Sequence, residues 1–215
     1  MSRRIRDTGA GIREQLSAIG YIDIENAESN GDFINDTVGF TVVGSVAVDE
    51  VVYLTSGKSI KLTATGTTVY ALKDYILDND HIIYIAIKGL ITSTSNNFGI
   101  RVYDYQSSSN IQDILFDLGI LGSWQLLSAT RTIAGGGIRL YIGVNASRTF
   151  VCNYDNLIIV DLTDTFGAGN EPSKEEMDYL LEEWTSEYLD GTESVDWNTW
   201  LKIKIKYLQD QISAL

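Results

Sequence analysis

The segment FGIRVYDY, residues 98–105, decides the fold class of this protein because its apolar and polar side chains alternate one by one. Phe98, Ile100 and Val102 fall on one side of an extended chain, and the arginine and tyrosines between them fall on the other. A period of two residues is typical of a β-strand that buries one face and exposes the other. The segment therefore predicts a strand at the surface of a β-structure.

Segments 82–88 and 138–144 repeat this alternation, with Ile83, Ile85 and Ile87 on the inward side of the first. In the second, Ile138 and Leu140 begin the inward row. Short β-branched and aromatic runs, separated by Gly, Asn, Ser and Asp, continue from residue 40 to residue 162. This spacing predicts an all-β, antiparallel jelly-roll sandwich over residues 23–163. The expected strands occupy residues 40–48, 51–54, 59–63, 68–72, 82–88, 98–105, 124–132, 138–144 and 156–162.

The composition excludes several classes of function. Sixteen Lys and Arg against 29 Asp and Glu give a net charge of −13, which disfavours nucleic acid as a partner. One cysteine, Cys152, rules out an internal disulfide framework, and one histidine, His81, rules out His-rich zinc sites. No apolar stretch approaches the roughly 20 residues of a transmembrane helix, so we expect no membrane partner. We expect no catalytic residues, because no motif with mechanistic content is present.

Helical appendages are expected on both sides of the sandwich. Residues 1–22 contain apolar positions at helical spacing and several arginines, which predicts an amphipathic helix that docks onto an acidic protein surface. Residues 164–215 contain a glycine-containing connector and two helices, the first capped by Ser173 and Glu176. The second helix has an apolar seam with steps of four and three residues, which predicts either a dimer or trimer or an intrachain helical hairpin. The seam consists of Leu201, Ile205, Leu208, Ile212 and Leu215.

Two sets of motifs resemble known families. Segments 30–33, 59–66, 81–86, 123–124 and 154–157 stand in the order of the landmarks of a carbohydrate-binding-module-like jelly roll. The segment DLTDTFGAGNEPS, residues 161–173, resembles the DLT-x-TFGAGNEP signature of tail, fibre and other minor virion proteins of bacteriophages that infect Gram-positive bacteria. The resemblance extends from residue 30 to about residue 184.

The resemblance implies a virion-attached sandwich, often oligomeric, that contacts other virion proteins or a host surface. It also implies a structural Ca²⁺ ion, for which Asp32 and Asp155 match the landmark positions. The alternative for these two aspartates is that each caps backbone amides in a turn. The N-terminus lacks the apolar region of a secretory signal, so we expect assembly in the host cytoplasm and release in the virion.

The outward-facing side chains of the three alternating strands form a candidate carbohydrate-binding platform. Tyrosine rings stack on the apolar faces of pyranoses, and cationic side chains donate hydrogen bonds to hydroxyl or acidic groups. The same residue types are also enriched in interfaces between subunits, which remains the alternative. Trp124 is interpreted as a core residue, with stacking on a sugar as its alternative. The platform consists of Tyr84, Lys88, Arg101, Tyr103, Tyr105, Arg139 and Tyr141.

These observations predict a non-enzymatic bacteriophage structural protein of the fibre, tail or head decoration, used for particle assembly or host adhesion. A carbohydrate-binding module that recognises cell-wall polysaccharide is the main alternative. A polysaccharide-degrading enzyme is a further one, because two suitably spaced carboxylates would be enough for glycoside hydrolysis and 29 acidic residues are present.

Overall fold

A computed structural model describes residues 21–54, 57–94, 98–106, 109–183 and 192–213. Within these ranges the chain is mostly antiparallel β-structure, as the alternating segments predict. The strands are β1 (Tyr21–Glu25), β2 (Thr41–Val43), β3 (Ser45–Asp49), β4 (Ser59–Ile76), β5 (Ile82–Thr94), β6 (Gly99–Asp104), β7 (Asn110–Leu115), β8 (Trp124–Thr132), β9 (Gly137–Asp161) and β10 (Thr192–Asp196). The helices are α1 (Leu162–Phe166), α2 (Lys174–Glu183) and α3 (Trp197–Ser213).

Two long strands, β4 and β9, take part in both layers of the sandwich. Residues 67–76 of β4 and 137–148 of β9 form the front sheet, in the order β2-β4-β9-β6-β7. Residues 59–65 of β4 and 149–161 of β9 form the back sheet, in the order β3-β4-β9-β5-β8. The β4–β9 register shifts between Thr65 and Val69, which marks the irregularity where the strands leave one sheet and enter the other.

The core lies between the two sheets and is lined by the side chains that the alternation places inward. The inward residues of 82–88, 98–105 and 138–144 are at most 2% exposed, which confirms the assignment of faces. Three phenylalanines fill the centre, with the Phe98 ring 4.1 Å from that of Phe150 and 5.4 Å from that of Phe116. Each fully buried side chain of this size contributes roughly 1.5–3 kcal/mol of burial free energy. The packed core is therefore the main source of stability.

The helices cover the outer face of the back sheet. Met177 and Leu180 of α2 and Trp200 of α3 pack against Tyr84 and Ile158 of the sheet, and all five side chains are at most 5% exposed. The predicted capping box begins α2. Ser173 accepts a hydrogen bond from the Glu176 amide at 3.1 Å, and Glu176 accepts one from the Ser173 amide at 2.9 Å. Within the described residues the outer faces of the two sheets thus differ, because α2 and α3 pack on the back sheet and no described helix packs on the front sheet.

The predicted seam is exposed in the structure. Leu201 is 39% exposed and Ile212 is 70% exposed, while α3 packs on α2 through a different side that includes Tyr207. The intrachain interpretation of the seam is therefore wrong, because the α2–α3 contact uses other residues. Oligomer formation through Leu201, Ile205, Leu208 and Ile212 stays a prediction, and Leu215 lies outside the described residues.

The predicted N-terminal helix also lies outside the described residues, which begin at Tyr21. From there β1 pairs with β10 in a separate two-stranded sheet, with Tyr21 opposite Asp196 and Glu25 opposite Thr192. No helix within the described ranges has both the length and the apolar character that a membrane crossing requires.

Candidate functional site

Four of the seven platform residues meet on the outer face of the front sheet. In the β6–β9 ladder Arg101 lies opposite Tyr141, and Tyr103 lies opposite Arg139. A fifth side chain, Tyr70 of β4, joins them because its ring centroid is 5.0 Å from that of Tyr141. We call this group the front-face cluster: Tyr70, Arg101, Tyr103, Arg139 and Tyr141.

Three tyrosine rings form a continuous row across β4, β9 and β6. The central ring, Tyr141, makes edge-to-face contacts with Tyr70 and with Tyr103, whose centroid is 5.2 Å away. Such contacts stabilise the row by about 0.5–1.5 kcal/mol per pair beyond area burial. Partial burial raises the pKa of Tyr141, so its hydroxyl stays protonated at neutral pH. The row is therefore a fixed surface that still reaches solvent, since all three residues are half-buried.

Two arginine–aspartate pairs flank the tyrosine row. Arg101 donates from Nε and Nη2 to the two carboxylate oxygens of Asp113, at 2.5 and 2.8 Å. Arg139 binds Asp74 in the same two-point geometry, at 2.7 and 2.8 Å. The Arg101 guanidinium lowers the pKa of Asp113, which keeps that carboxylate ionised. Paired in this way, the charges cancel, and the cluster is locally neutral on an acidic protein.

Tyr84 does not belong to this face, so its assignment to the platform is wrong. Its side chain is fully buried beneath α2, and its hydroxyl donates to Asp178 Oδ1 at 2.7 Å. Burial raises the pKa of Tyr84 well above its usual value. Lys88 also lies elsewhere, because it belongs to the back sheet, where it pairs with Leu126 of β8.

Tyr105 lies just beyond β6, two positions after Tyr103, and is half-buried. Its backbone amide donates to the carbonyl of Gly137 at 3.2 Å, which continues the β6–β9 ladder. Tyr105 therefore lies at the end of the front-face cluster and extends it along the strand.

The two aspartates matched to a calcium site cap backbone amides. Asp155 is fully buried and accepts from the amides of Leu54 and Asn156, each at 2.8 Å. Asp32 accepts from the amide of Ile34 at 3.2 Å. Within the described ranges, no group of three or more Asp, Glu, His or Cys side chains could hold a metal ion. The structure therefore confirms the amide-capping alternative for both aspartates, and the calcium site stays a prediction.

Sequence reasoning missed a buried carboxylate close to Asp32 in the sequence. Glu28 is fully buried and accepts from Lys73 Nζ at 2.8 Å, from the Tyr75 hydroxyl and from the Asn30 amide at 2.7 Å. The Lys73 ammonium also lies over the Phe40 ring, 5.2 Å from its centroid. The charge of the buried Glu28 carboxylate is thus balanced by the Lys73 ammonium. No sequence pattern points to this pairing, because the two residues are 45 positions apart.

The signature segment 161–173 ties the last strand to the helices. Asp161 caps α1 by accepting from the Asp164 amide at 2.9 Å, and its other oxygen is 2.8 Å from His81 Nδ1. Thr163 Oγ1 donates to Glu171 at 2.8 Å, and Glu171 in turn accepts from the backbone that precedes it. These residues fix the path of the connector that brings α2 onto the back sheet, which gives the signature a structural role.

No protein family and no curated protein matches the sequence. The fold is similar to that of a solved carbohydrate-binding module, TmCBM61 in complex with β-1,4-galactotriose, with a TM-score of 0.51 and 12% identity over 62% of this chain and 97% of that one. It is also similar to the CBM22-1 xylan-binding domain of Paenibacillus barcinonensis Xyn10C, with a TM-score of 0.45 and 12% identity over 66% and 94% of the two chains.

A third similar structure is the enzymatically active domain of bacteriophage CBA120 tailspike protein 4, with a TM-score of 0.48 and 18% identity. The match covers 62% of this chain and only 21% of the tailspike chain. At such identities the likeness concerns the fold alone. The chain has an antiparallel jelly-roll β-sandwich fold like that of carbohydrate-binding modules, with short helices added to it.

Proposed function

We propose that this chain is a non-catalytic glycan-binding module of a bacteriophage particle, and that the front-face cluster is its binding surface. The observation that carries the proposal is the row of three adjoining tyrosine rings on a sheet face that the described helices leave uncovered. On the back sheet of the same sandwich, the outward-facing Tyr84 is buried beneath α2.

The chemistry of the cluster suits a sugar polymer. Pyranose rings present apolar C–H faces that stack on aromatic rings, and their hydroxyl groups accept hydrogen bonds from guanidinium groups. The row is held by its own ring contacts and by two bidentate ion pairs, so little conformational entropy is lost on binding. Because the arginine charges are already neutralised by Asp74 and Asp113, the surface suits neutral glycans better than polyanions.

The two carboxylates that pair with the arginines of the front-face cluster support a binding role and not a hydrolytic one. Glycoside hydrolysis needs one carboxyl group that is protonated near neutral pH and can act as a general acid. Asp113 has a lowered pKa because of Arg101, and Asp74 is bound at both oxygens by Arg139. Neither carboxylate suits the role of the acid.

The assignment to a bacteriophage particle rests on the resemblance of residues 161–173 to the virion-protein signature. The exposed seam of α3 supports assembly of several copies, since Ile at a positions and Leu at d positions favours two-stranded association. Mass spectrometry of purified particles from the phage that encodes the chain should detect it. Its absence from the particles would contradict the virion assignment.

Affinity electrophoresis in gels that contain β-1,4-galactan, xylan or soluble cell-wall polysaccharide tests the glycan assignment. We expect Tyr103→Ala and Tyr141→Ala to weaken binding by about tenfold or more, as aromatic anchors do at other interfaces. The matched control is Tyr53→Ala, a 43% exposed tyrosine on the loop before β4, which should bind like the wild type.

Wild-type affinity in both cluster variants would contradict the assignment of the binding surface to the front-face cluster. No retardation of the wild type by any polysaccharide would contradict the glycan assignment. Light scattering on the same samples tests the alternative that this face is an interface between subunits. A loss of oligomer mass in Tyr141→Ala, without a change in glycan binding, would make the cluster a subunit interface.

A further inference from the structure

A groove of about 450 Å³ lies on the back sheet, on the opposite side of the sandwich from the front-face cluster. Its floor consists of Ala86, Leu126 and Ile158 from three neighbouring strands. Leu181 of α2 forms one wall, and Leu54 of the loop before β4 forms another. The groove therefore lies on the outer face of the back sheet, beside the packed helices.

Both walls of the groove are fixed by hydrogen bonds. The buried carboxylate of Asp155 accepts from the Leu54 amide at 2.8 Å and holds the loop. On the other side, Asp178 of α2 accepts from the Tyr84 hydroxyl at 2.7 Å and from Lys174 at 2.5 Å. Because both walls are held by hydrogen bonds within the protein, the groove is preformed, as small-molecule sites usually are.

The side chains at the rim have the chemistry of a ligand site. Trp124, the first residue of β8, is half-buried and lines the groove. Lys88 lies close to Trp124, because the Lys88–Leu126 pair is two steps along the β5–β8 ladder from the Leu90–Trp124 pair. In the part of the chain that the structure describes, Lys88 and Glu182 each line the groove without an ion pair.

We propose that this groove is a second sugar-binding site, which takes one or two rings of a neutral pyranoside. The apolar floor and the Trp124 ring match the C–H face of a pyranose, while the Lys88 ammonium and the Glu182 carboxylate match its hydroxyl groups as donor and acceptor. The volume is within the 300–1,000 Å³ range of ligand pockets and suits a short saccharide.

The balance of charge selects a neutral sugar over a charged one. One lysine and one glutamate at the rim leave no excess of either sign, and the Asp178 carboxylate is already held by Lys174. The Glu182 carboxylate would repel an acidic sugar, and the Lys88 ammonium would repel an amino sugar. The ligand class is that of the proposed function, so the inference rests on it and makes the module bind sugars on two opposite faces.

Indole N–H signals in ¹⁵N-HSQC spectra of the full chain test the groove directly. The chain has four tryptophans, and the signal that disappears in Trp124→Phe identifies Trp124. Titration with β-1,4-galactotriose and xylohexaose should shift this signal in a saturable way. Lys88→Met should weaken the response by about tenfold, since it removes a hydrogen bond from a charged donor. The matched control Lys202→Met, an exposed lysine of α3, should leave it unchanged.

The same titration on the double variant Tyr103→Ala/Tyr141→Ala separates the two sites. A shift of the Trp124 signal with unchanged midpoint in this variant supports an independent groove site. A shift that disappears with the tyrosines, or sugar binding by the wild type without any change at Trp124, overturns the groove while the front-face proposal stands. No binding at either place overturns both. A response to trigalacturonic acid but not to the neutral sugars overturns the neutral class.

Discussion

Replacement of Tyr84 by Phe should destabilise the fold and leave the front-face cluster intact. The substitution removes one buried hydroxyl, whose hydrogen bond to Asp178 Oδ1 is 2.7 Å long and anchors α2 on the back sheet. Hydrogen bonds to charged groups contribute about 1.5–3 kcal/mol. At about 2–4 °C per kcal/mol for a chain of this size, we expect Tm to fall by about 3–12 °C.

Urea and thermal denaturation followed by circular dichroism measure this effect. The matched control is Tyr53→Phe, which removes the hydroxyl of an exposed tyrosine and should change stability by less than about 0.5 kcal/mol. A double-mutant cycle with Asp178→Ala isolates the contribution of the pair, because each single variant removes the same contact. Glycan binding at the front-face cluster should match that of the wild type.

Two results would refute this reasoning. If Tyr84→Phe unfolds at the wild-type temperature, then the buried hydroxyl does not hold α2 in place. If it removes the part of glycan affinity that Tyr141→Ala also removes, then Tyr84 belongs to the platform after all, and the division of the sandwich into an open and a covered face is wrong.

Three further outcomes are expected. The His81–Asp161 contact raises the pKa of His81, so its stabilising effect is fully present below the unfolded-state pKa of about 6.5 and is lost as pH rises through the higher folded-state value. The difference in unfolding free energy between wild type and His81→Gln, measured by urea titration, should therefore be larger at pH 5.5 than at pH 8.5. Gly99→Ala should abolish or severely impair folding, because a Cβ would lie 1.9 Å from a backbone oxygen of β7, whereas Gly119→Ala meets only a side-chain oxygen at 3.1 Å and should fold normally by circular dichroism. Cys152 is fully buried, and burial raises the pKa of its thiol. Intact-mass measurement should therefore show labelling by iodoacetamide in about 8 M urea, where the protein is unfolded, and not in buffer; rapid labelling in buffer would contradict its place in the core.

The faces of the strands were predictable because alternation is a local property. Ile83 and Ile100 point into the core as their patterns indicate, and Tyr84 points to the opposite side of its sheet. Which element covers an outward side chain depends on contacts between residues that are distant in the sequence. Tyr84 and Tyr103 have the same pattern around them, but the partner of Tyr84 lies 94 positions later in the sequence, on a helix that packs over it.

The strand boundaries show a similar limit. Segments 59–63 and 68–72 are separated by turn-forming residues around Gly66, which has a φ of +77°, and they were predicted as separate strands. In the structure both belong to β4, and the residues between them form the irregularity that carries the strand from one sheet to the other. The predicted strand 51–54 is a bend, because Asp49 accepts from the amides of Val51 and Val52.

The candidate site likewise contains residues that local patterns predict and residues that they do not. Arg101, Tyr103, Arg139 and Tyr141 meet because they occupy paired positions of adjacent strands, which alternation and order along the chain make predictable. Tyr70 was missed, since only the register of β4 with β9 brings it next to Tyr141. The groove was also beyond sequence reasoning, because its walls come from a helix and a loop that lie more than 100 positions apart.

The pairing of β1 with β10 has a mechanical consequence. Tyr21 and Asp196 are cross-strand partners, so a pull on the segments before the first and after the second loads the ladder at one end. Antiparallel hydrogen bonds stressed in this way break one after another, at lower force than bonds sheared together. Under such a load the five-residue ladder would open pair by pair, beginning at Tyr21 and Asp196.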